Sequence, residues 1–368
     1  MVRIQYTVHS LAEALFAGIF GILPAYHPIL LSFSRPEFAV FTYFFYYVVS
    51  GPMSFLLGAY SSVVLFSRLA AHSLVVSGRT ERAVFLYLAG FLGGLLLSFL
   101  YYPVSGIFSL HVPHLVIFSI LFVAALLLIW RSECRLRALL VFLLSACWGV
   151  ALLTSVNPVR NPLQVGVSGI FGLGAVLPSV FSKRRLSYHA INDTSVPYAG
   201  IVFGILAALL VAYFPALSPA VAALFVRLFV RLDSDGVVAA SGSTASSALV
   251  FSMYSRRYGL VRSSLAAQLP DSFSVVSLAP YLILAVALGA IFVWIVFPLL
   301  YRIYSRRFAR ATAVLFIAVF ILALFGWPAL FAALAGAALS IFARSLGVDQ
   351  SVLMAFLIVP TMLYYAPM

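Results

Sequence analysis

Long apolar runs separated by short polar segments make up almost the whole chain. They cover residues 10–32, 38–66, 83–101, 112–130, 138–155 and 165–181. A second series begins near residue 198 and continues at 278–301, 311–325, 329–342 and 352–365. Roughly 20 apolar residues cross a hydrocarbon core of about 30 Å as a helix, so each run reads as a membrane span. The runs do not alternate apolar with polar residues, as the strands of a barrel would. The pattern predicts an all-α polytopic membrane protein of about 10–12 transmembrane helices, with some runs discontinuous or re-entrant.

Prolines interrupt the runs at matched places. Pro24-Ala25-Tyr26-His27-Pro28 in the first run is matched by Pro215-Ala216-Leu217-Ser218-Pro219, 191 positions later. The same offset carries Ser50-Gly51 onto Ser241-Gly242. Proline removes a backbone donor and clashes with the preceding turn, so each proline pair predicts a kinked or broken helix. Gly51-Pro52 predicts a further break in the run 38–66. Two matches at one spacing predict an internal duplication. It divides the chain into repeat halves, 1–185 and 186–368.

Composition sharpens this picture. With 64% hydrophobic and 8% charged residues, the chain is far from soluble composition, where about a quarter is charged. A net charge of +13 would suggest nucleic acid in a soluble protein. Here the basic residues sit in clusters between runs: Arg131/Arg135/Arg137, Lys183/Arg184/Arg185, Arg256/Arg257 and Arg302/Arg306/Arg307/Arg310. That arrangement is a topology signal and a contact for anionic headgroups, so the partner it predicts is the lipid bilayer, with no nucleic acid. The segments 68–82, 131–137 and 183–185 are each separated by two spans, which places all three on the cytoplasmic side of a multi-pass protein of the cell membrane. Cys134 and Cys147 lie in a loop and in a span, so no bridge is expected between them. The run after Arg3 resembles a signal peptide but continues into a repeat copy, and is expected to stay in the mature chain.

Paired helix breaks point to a transport site. A helix that begins at mid-membrane directs unpaired N–H groups and partial positive charge into a cavity, which suits an anion. The candidate substrate-binding set is Pro24, Tyr26, His27, Ser50, Gly51, Ser54, Pro215, Ser218, Ser241, Gly242, Ser243 and Thr244. The stretch 241–247 also fits a small-residue face for close helix packing. His27 is the group best suited to proton coupling, and Glu13 lies about one turn into the first run. Asp233 and Asp235 are expected to pair with Arg227 and Arg231. His111 and His114 lack a third metal ligand in view. No nucleophile–base set, metal cluster or nucleotide motif is visible, so the chain does not read as an enzyme, and no cofactor is expected beyond a coupling Na+ or H+.

Five stretches together resemble the TctA-like family, the large membrane subunit of tripartite tricarboxylate transporters, and especially its stand-alone archaeal branch. Residues 18–29 resemble a glycine-rich run ending in Pro-Gly-Ile-His. Residues 71–84 (Ala-His-Ser-Leu-Val-Val-Ser-Gly-Arg-Thr-Glu-Arg-Ala-Val) resemble His-x-x-Leu-x-x-Gly-Arg-x-x-Glu-Ala. Ser168-Gly169-Ile170-Phe171-Gly172 is similar to Ser-Gly-Leu-Phe-Gly, and residues 214–220 to the second proline break. Residues 241–264 resemble the late Asn-Thr-Ser to Arg-Ser-Gly segment. The chain departs from the family at Ala25 and Ala216, where glycine is favoured, and at Gly242-Ser243-Thr244-Ala245, which replaces Asn-Thr-Ser-Asp. The resemblance implies a carrier for an organic anion driven by an ion gradient.

The function expected is therefore secondary transport of a small organic anion of di- or tricarboxylate type. The alternative cargo is a lipid-linked phosphate of the polyprenyl type, and a membrane-embedded enzyme is the remaining, weaker alternative. A homo-oligomer is compatible with the sequence.

Overall fold

The computed structural model describes residues 36–57, 71, 74, 77–109, 112–153, 159, 161–181, 195–214, 222, 232–261, 263–270, 273–304 and 307–366. Among these residues there is no β-strand, and the protein is an all-α polytopic membrane protein. Its helices are α1 (Pro36–Leu57), α2 (Thr80–Phe99), α3 (His114–Trp130) and α4 (Arg135–Leu153). Then follows α5, made of Pro162–Val167, a π-helical segment Ser168–Leu173 and Gly174–Phe181. The remainder are α6 (Tyr198–Tyr213), α7 (Ser234–Arg256), α8 (Ser264–Gln268), α9 (Val275–Tyr304), α10 (Arg307–Ser345) and α11 (Ala355–Tyr364). Short 3-10 helices at Tyr102–Ser109 and Gln350–Met354 precede α3 and α11.

Among the described residues, five helical segments are long and apolar enough to cross a membrane: Thr80–Phe99, Arg135–Leu153, Ser234–Arg256, Val275–Ile303 and Phe325–Ser345. Four apolar helices are shorter. The expected runs 311–325 and 329–342 are joined in α10, where Gly326 alone leaves helical geometry (φ 80, ψ −178) and Pro328 follows. That backbone region is open to glycine and closed to residues with a Cβ. The separation of the two runs is thus a kink of one residue.

By contact the helices form two groups. One holds α1, α2, α6, α7, α8 and α9; the other holds α3, α4, α5, α10 and α11, and the two meet where α9 touches α10. Each group draws helices from both 1–185 and 186–368. In the first group α7 is the central element, flanked by α2 on one side and α6 on the other. Its composition explains this position. In the apolar stretch of α7, 94% of the residues are buried inside the protein, against 28% for Phe325–Ser345. Small residues let neighbouring backbones come close. A Cβ on Gly90 would overlap the Ala239 carbonyl, and one on Gly204 the Ala240 carbonyl. A Cβ on Gly200 would overlap the carbonyl of Gly236, and one on Gly94 would lie 2.6 Å from the Cα of Ser243.

One expectation is corrected here. The run from residue 38 is not broken at Gly51-Pro52: α1 continues through both residues to Leu57. Proline costs the helix one hydrogen bond, at the carbonyl four residues back, and packing on α2 and α9 holds the segment helical regardless. Asp233 and Asp235 also have roles the sequence reading did not assign. Asp233 caps α7, its Oδ1 accepting from the Gly236 N–H at 2.8 Å, and Asp235 pairs with Arg82 on α2. Arg227 and Arg231 lie outside the described residues.

Candidate functional site

Tyr87, at the middle of α2, is where the matched sequence elements meet. Gly51 on α1 faces its ring: a Cβ there would overlap Cζ, Cε1 and the hydroxyl. Gly242 on α7 faces its backbone: a Cβ there would overlap the Tyr87 carbonyl and come within 2.8 Å of the Phe91 nitrogen. The two glycines related by the sequence offset therefore both close on one residue, one on its ring and the other on its backbone. The Tyr87 hydroxyl donates to the Tyr47 carbonyl at 3.0 Å. That carbonyl is next to Val48, whose carbonyl loses its helical donor to Pro52.

Aromatic rings complete the wall. Tyr87 meets Phe55 edge-on with centroids 5.8 Å apart, and Phe91 at 6.1 Å. Phe44 meets Phe91 edge-on at 6.3 Å. Polar groups continue along α1. Tyr43, Tyr46, Tyr47 and Ser50 are all buried, and the Gln268 side-chain nitrogen donates to the Tyr43 hydroxyl at 3.2 Å. This is a dense polar and aromatic contact between α1, α2, α7 and α8.

On α7 the predicted side chains are engaged with backbone. Ser241 donates to the Val237 carbonyl at 2.8 Å. Ser243 crosses to the Ile201 carbonyl on α6 at 2.7 Å. Thr244 bonds the carbonyls of Ala240 at 2.8 Å and Gly204 at 3.1 Å. Ser247 reaches the other neighbour, donating to the Gly94 carbonyl on α2 at 3.0 Å. The Ser243, Thr244 and Ser247 hydroxyls tie three helices together through carbonyls, in the manner of small polar residues inside membranes.

At the start of α2 and α7 lies a buried ion pair. Arg82 donates to Asp235 Oδ2 through Nη2 at 2.8 Å and Nε at 3.1 Å, and its Nη2 also donates to the Ser195 hydroxyl at 3.1 Å. Both donors converge on the one oxygen Oδ2, a charge-assisted contact that holds the start of α2 against the start of α7. Between α2 and α9 there is a cavity of about 70 Å³ lined by Glu81, Val84, Trp294, Phe297 and Pro298.

Of the candidate residues, the structure brings Gly51 and Gly242 together across Tyr87, with Ser50, Ser241, Ser243 and Thr244 on the same two helices. Ser54 lies on the last turns of α1. Pro24, Tyr26, His27, Pro215 and Ser218, with Glu13 and His111, lie outside the described residues. His114 packs edge-on against the Tyr365 ring at 5.1 Å, and among the described residues no group of three ligands suits a metal ion. Cys134 and Cys147 are free thiols. Sequence reasoning missed Tyr87, Gln268 and the Arg82–Asp235 pair. Arg82 at least lies in the stretch 71–84 quoted for the family resemblance; a tyrosine inside an apolar run gives no signal of its own. No protein-family model, curated protein or solved structure matches this chain.

Proposed function

We propose that the chain is a secondary transporter of a small organic anion, of di- or tricarboxylate type, working in the cell membrane and coupled to a Na+ or H+ gradient. The observation that carries this reading is the meeting of Gly51 and Gly242 on Tyr87. Duplicated elements of a two-repeat carrier are expected to come together at the site the repeats share. The TctA-like resemblance implies the same class of cargo.

In this reading the proline-broken stretches 24–28 and 215–219 supply backbone N–H groups for the anion. Tyr26, His27, Ser50, Ser54 and Ser218 orient it. Ser241, Ser243 and Thr244 already serve backbone carbonyls; Ser243 and Thr244, which reach α6, set the position of α7 beside the site together with Gly242. The reaction is translocation without covalent chemistry, and no cofactor takes part.

Ligand-dependent thermal stability of the purified protein in detergent tests this. The probes are di- and tricarboxylates, inorganic phosphate and polyprenyl phosphate, each with and without sodium and at two pH values. A ligand present at 100 times its dissociation constant adds roughly 2.7 kcal/mol. Stabilisation by a carboxylate is expected, and its sodium or proton dependence names the coupling ion. Stabilisation by the polyprenyl phosphate alone would replace the small anion with a lipid-linked cargo.

A further inference from the structure

The turn between α3 and α4 combines a basic cluster with an aromatic side chain at the end of two outward-facing helices. Trp130 closes α3 and is 70% exposed; Leu136, in the first turn of α4, is 81% exposed. Arg131, Arg135 and Arg137 are all exposed on this turn, against the single acid Glu133. The Arg135 guanidinium lies over the Trp130 ring, 5.0 Å from its centre. Arg137 donates to the Leu346 carbonyl at 3.4 Å, which fastens the turn to the one following α10.

The helices leading into the turn fix its depth. Val123 and Leu126 on α3, and Leu140 and Leu143 on α4, are exposed aliphatic side chains. In a membrane protein such rows face acyl chains, so the turn that ends them lies among the headgroups. Tryptophan is suited to that level, with an apolar body and one N–H donor. Arg131 and Arg135 then stand beside the indole where lipid phosphates are, and an arginine stacked on an aromatic face is held ready for a bidentate phosphate contact.

We propose that this turn is a binding site for the phosphate of an anionic phospholipid in the leaflet it faces. Trp130 positions the Arg135 guanidinium, Arg131 supplies the second positive charge, and the exposed rows of α3 and α4 lie along the acyl chains. The site is selective for charge: a zwitterionic choline headgroup carries a cation that two arginines repel. It lies in the second helix group, away from Tyr87, and it does not depend on the cargo proposed above.

Native mass spectrometry of the full-length protein, with equimolar phosphatidylglycerol and phosphatidylcholine, tests the site. Wild type should retain phosphatidylglycerol over phosphatidylcholine by about tenfold. Arg131→Gln/Arg135→Gln should lower that preference severalfold, to what the other basic clusters contribute, while keeping its melting temperature in phosphatidylcholine. If the double variant does not fold, Arg131→Gln alone, at an exposed position, should lower the preference severalfold. Equal retention of both lipids by wild type, or a preference unchanged in the variants, would overturn the site. Displacement of the bound lipid by millimolar inorganic phosphate would mark it as a free-anion site and also overturn the proposal.

Discussion

The Tyr87 hydroxyl donates a 3.0 Å hydrogen bond to the main-chain carbonyl of Tyr47, and its ring occupies the space left by the missing side chain of Gly51. Both contacts stitch α2 to α1 beside Pro52. Tyr87→Phe keeps the ring and removes the bond, which should cost about 1 kcal/mol. Gly51→Ala puts a methyl group into the ring and should cost about 1–3 kcal/mol. Combined with Tyr87→Ala, the Gly51→Ala penalty should largely vanish, because the clashing ring is gone. Thermal unfolding of wild type, Gly51→Ala, Tyr87→Ala and the double variant in detergent measures this coupling; additive losses would show that the two residues act separately.

How far the sequence could be read follows from these residues. The all-α membrane class was legible, because apolar runs of spanning length have few other uses. The packing role of residues 241–247 was legible as one of two readings, since glycine and serine at helical spacing permit close approach. The intact helix at Gly51-Pro52 was not. Proline lowers helix stability by a local amount, and the contacts of α1 with α2 and α9 that outweigh it are distant in sequence. The Arg82–Asp235 pair was equally hidden, because charges 153 positions apart carry no mark of their pairing.

Gly242 separates the two roles of α7. A Cβ there meets the Tyr87 carbonyl, a backbone atom that cannot rotate away, so even Gly242→Ala must push α7 from α2. The expected loss is about 1–3 kcal/mol. Ser241→Ala, one residue earlier, removes only a bond to the carbonyl of its own helix and should change stability by less than about 1 kcal/mol. If Gly242→Ala melts like wild type, α7 and α2 do not meet at this glycine. If it melts lower and loses uptake while Ser241→Ala keeps both, the position of α7 governs the proposed site.

Arg82 and Asp235 form a largely buried ion pair, with side chains 9% and 21% exposed. Removing one partner from a buried pair typically costs about 3–5 kcal/mol, and the partial exposure of Asp235 lowers the expectation to about 2–3 kcal/mol for Arg82→Met. Arg82→Asp/Asp235→Arg should recover part of the loss, since the charges remain opposite while the donor geometry is reversed. Thermal unfolding at low ionic strength reads both variants. A loss below about 0.5 kcal/mol for Arg82→Met would mean that the pair contributes no more than a surface ion pair.

Gly326 isolates a backbone effect from a packing effect. At φ 80 and ψ −178 it holds a conformation nearly restricted to glycine, whereas a Cβ built there meets nothing closer than Pro328 Cδ at 3.8 Å. Gly326→Ala should therefore lose about 1–3 kcal/mol through strain alone, with no clash to relieve. The kink separates the first part of α10 from Phe325–Ser345, whose Ala333, Ala337 and Ser340 lie against Gly169 and Gly174 of α5. Strain released by straightening α10 would have to break that second contact. Loss of stability together with loosened packing at residues 168–174, read by cysteine accessibility at Ser168→Cys, is the expected result. An unchanged melting temperature would show that α10 tolerates a continuous helix through residue 326.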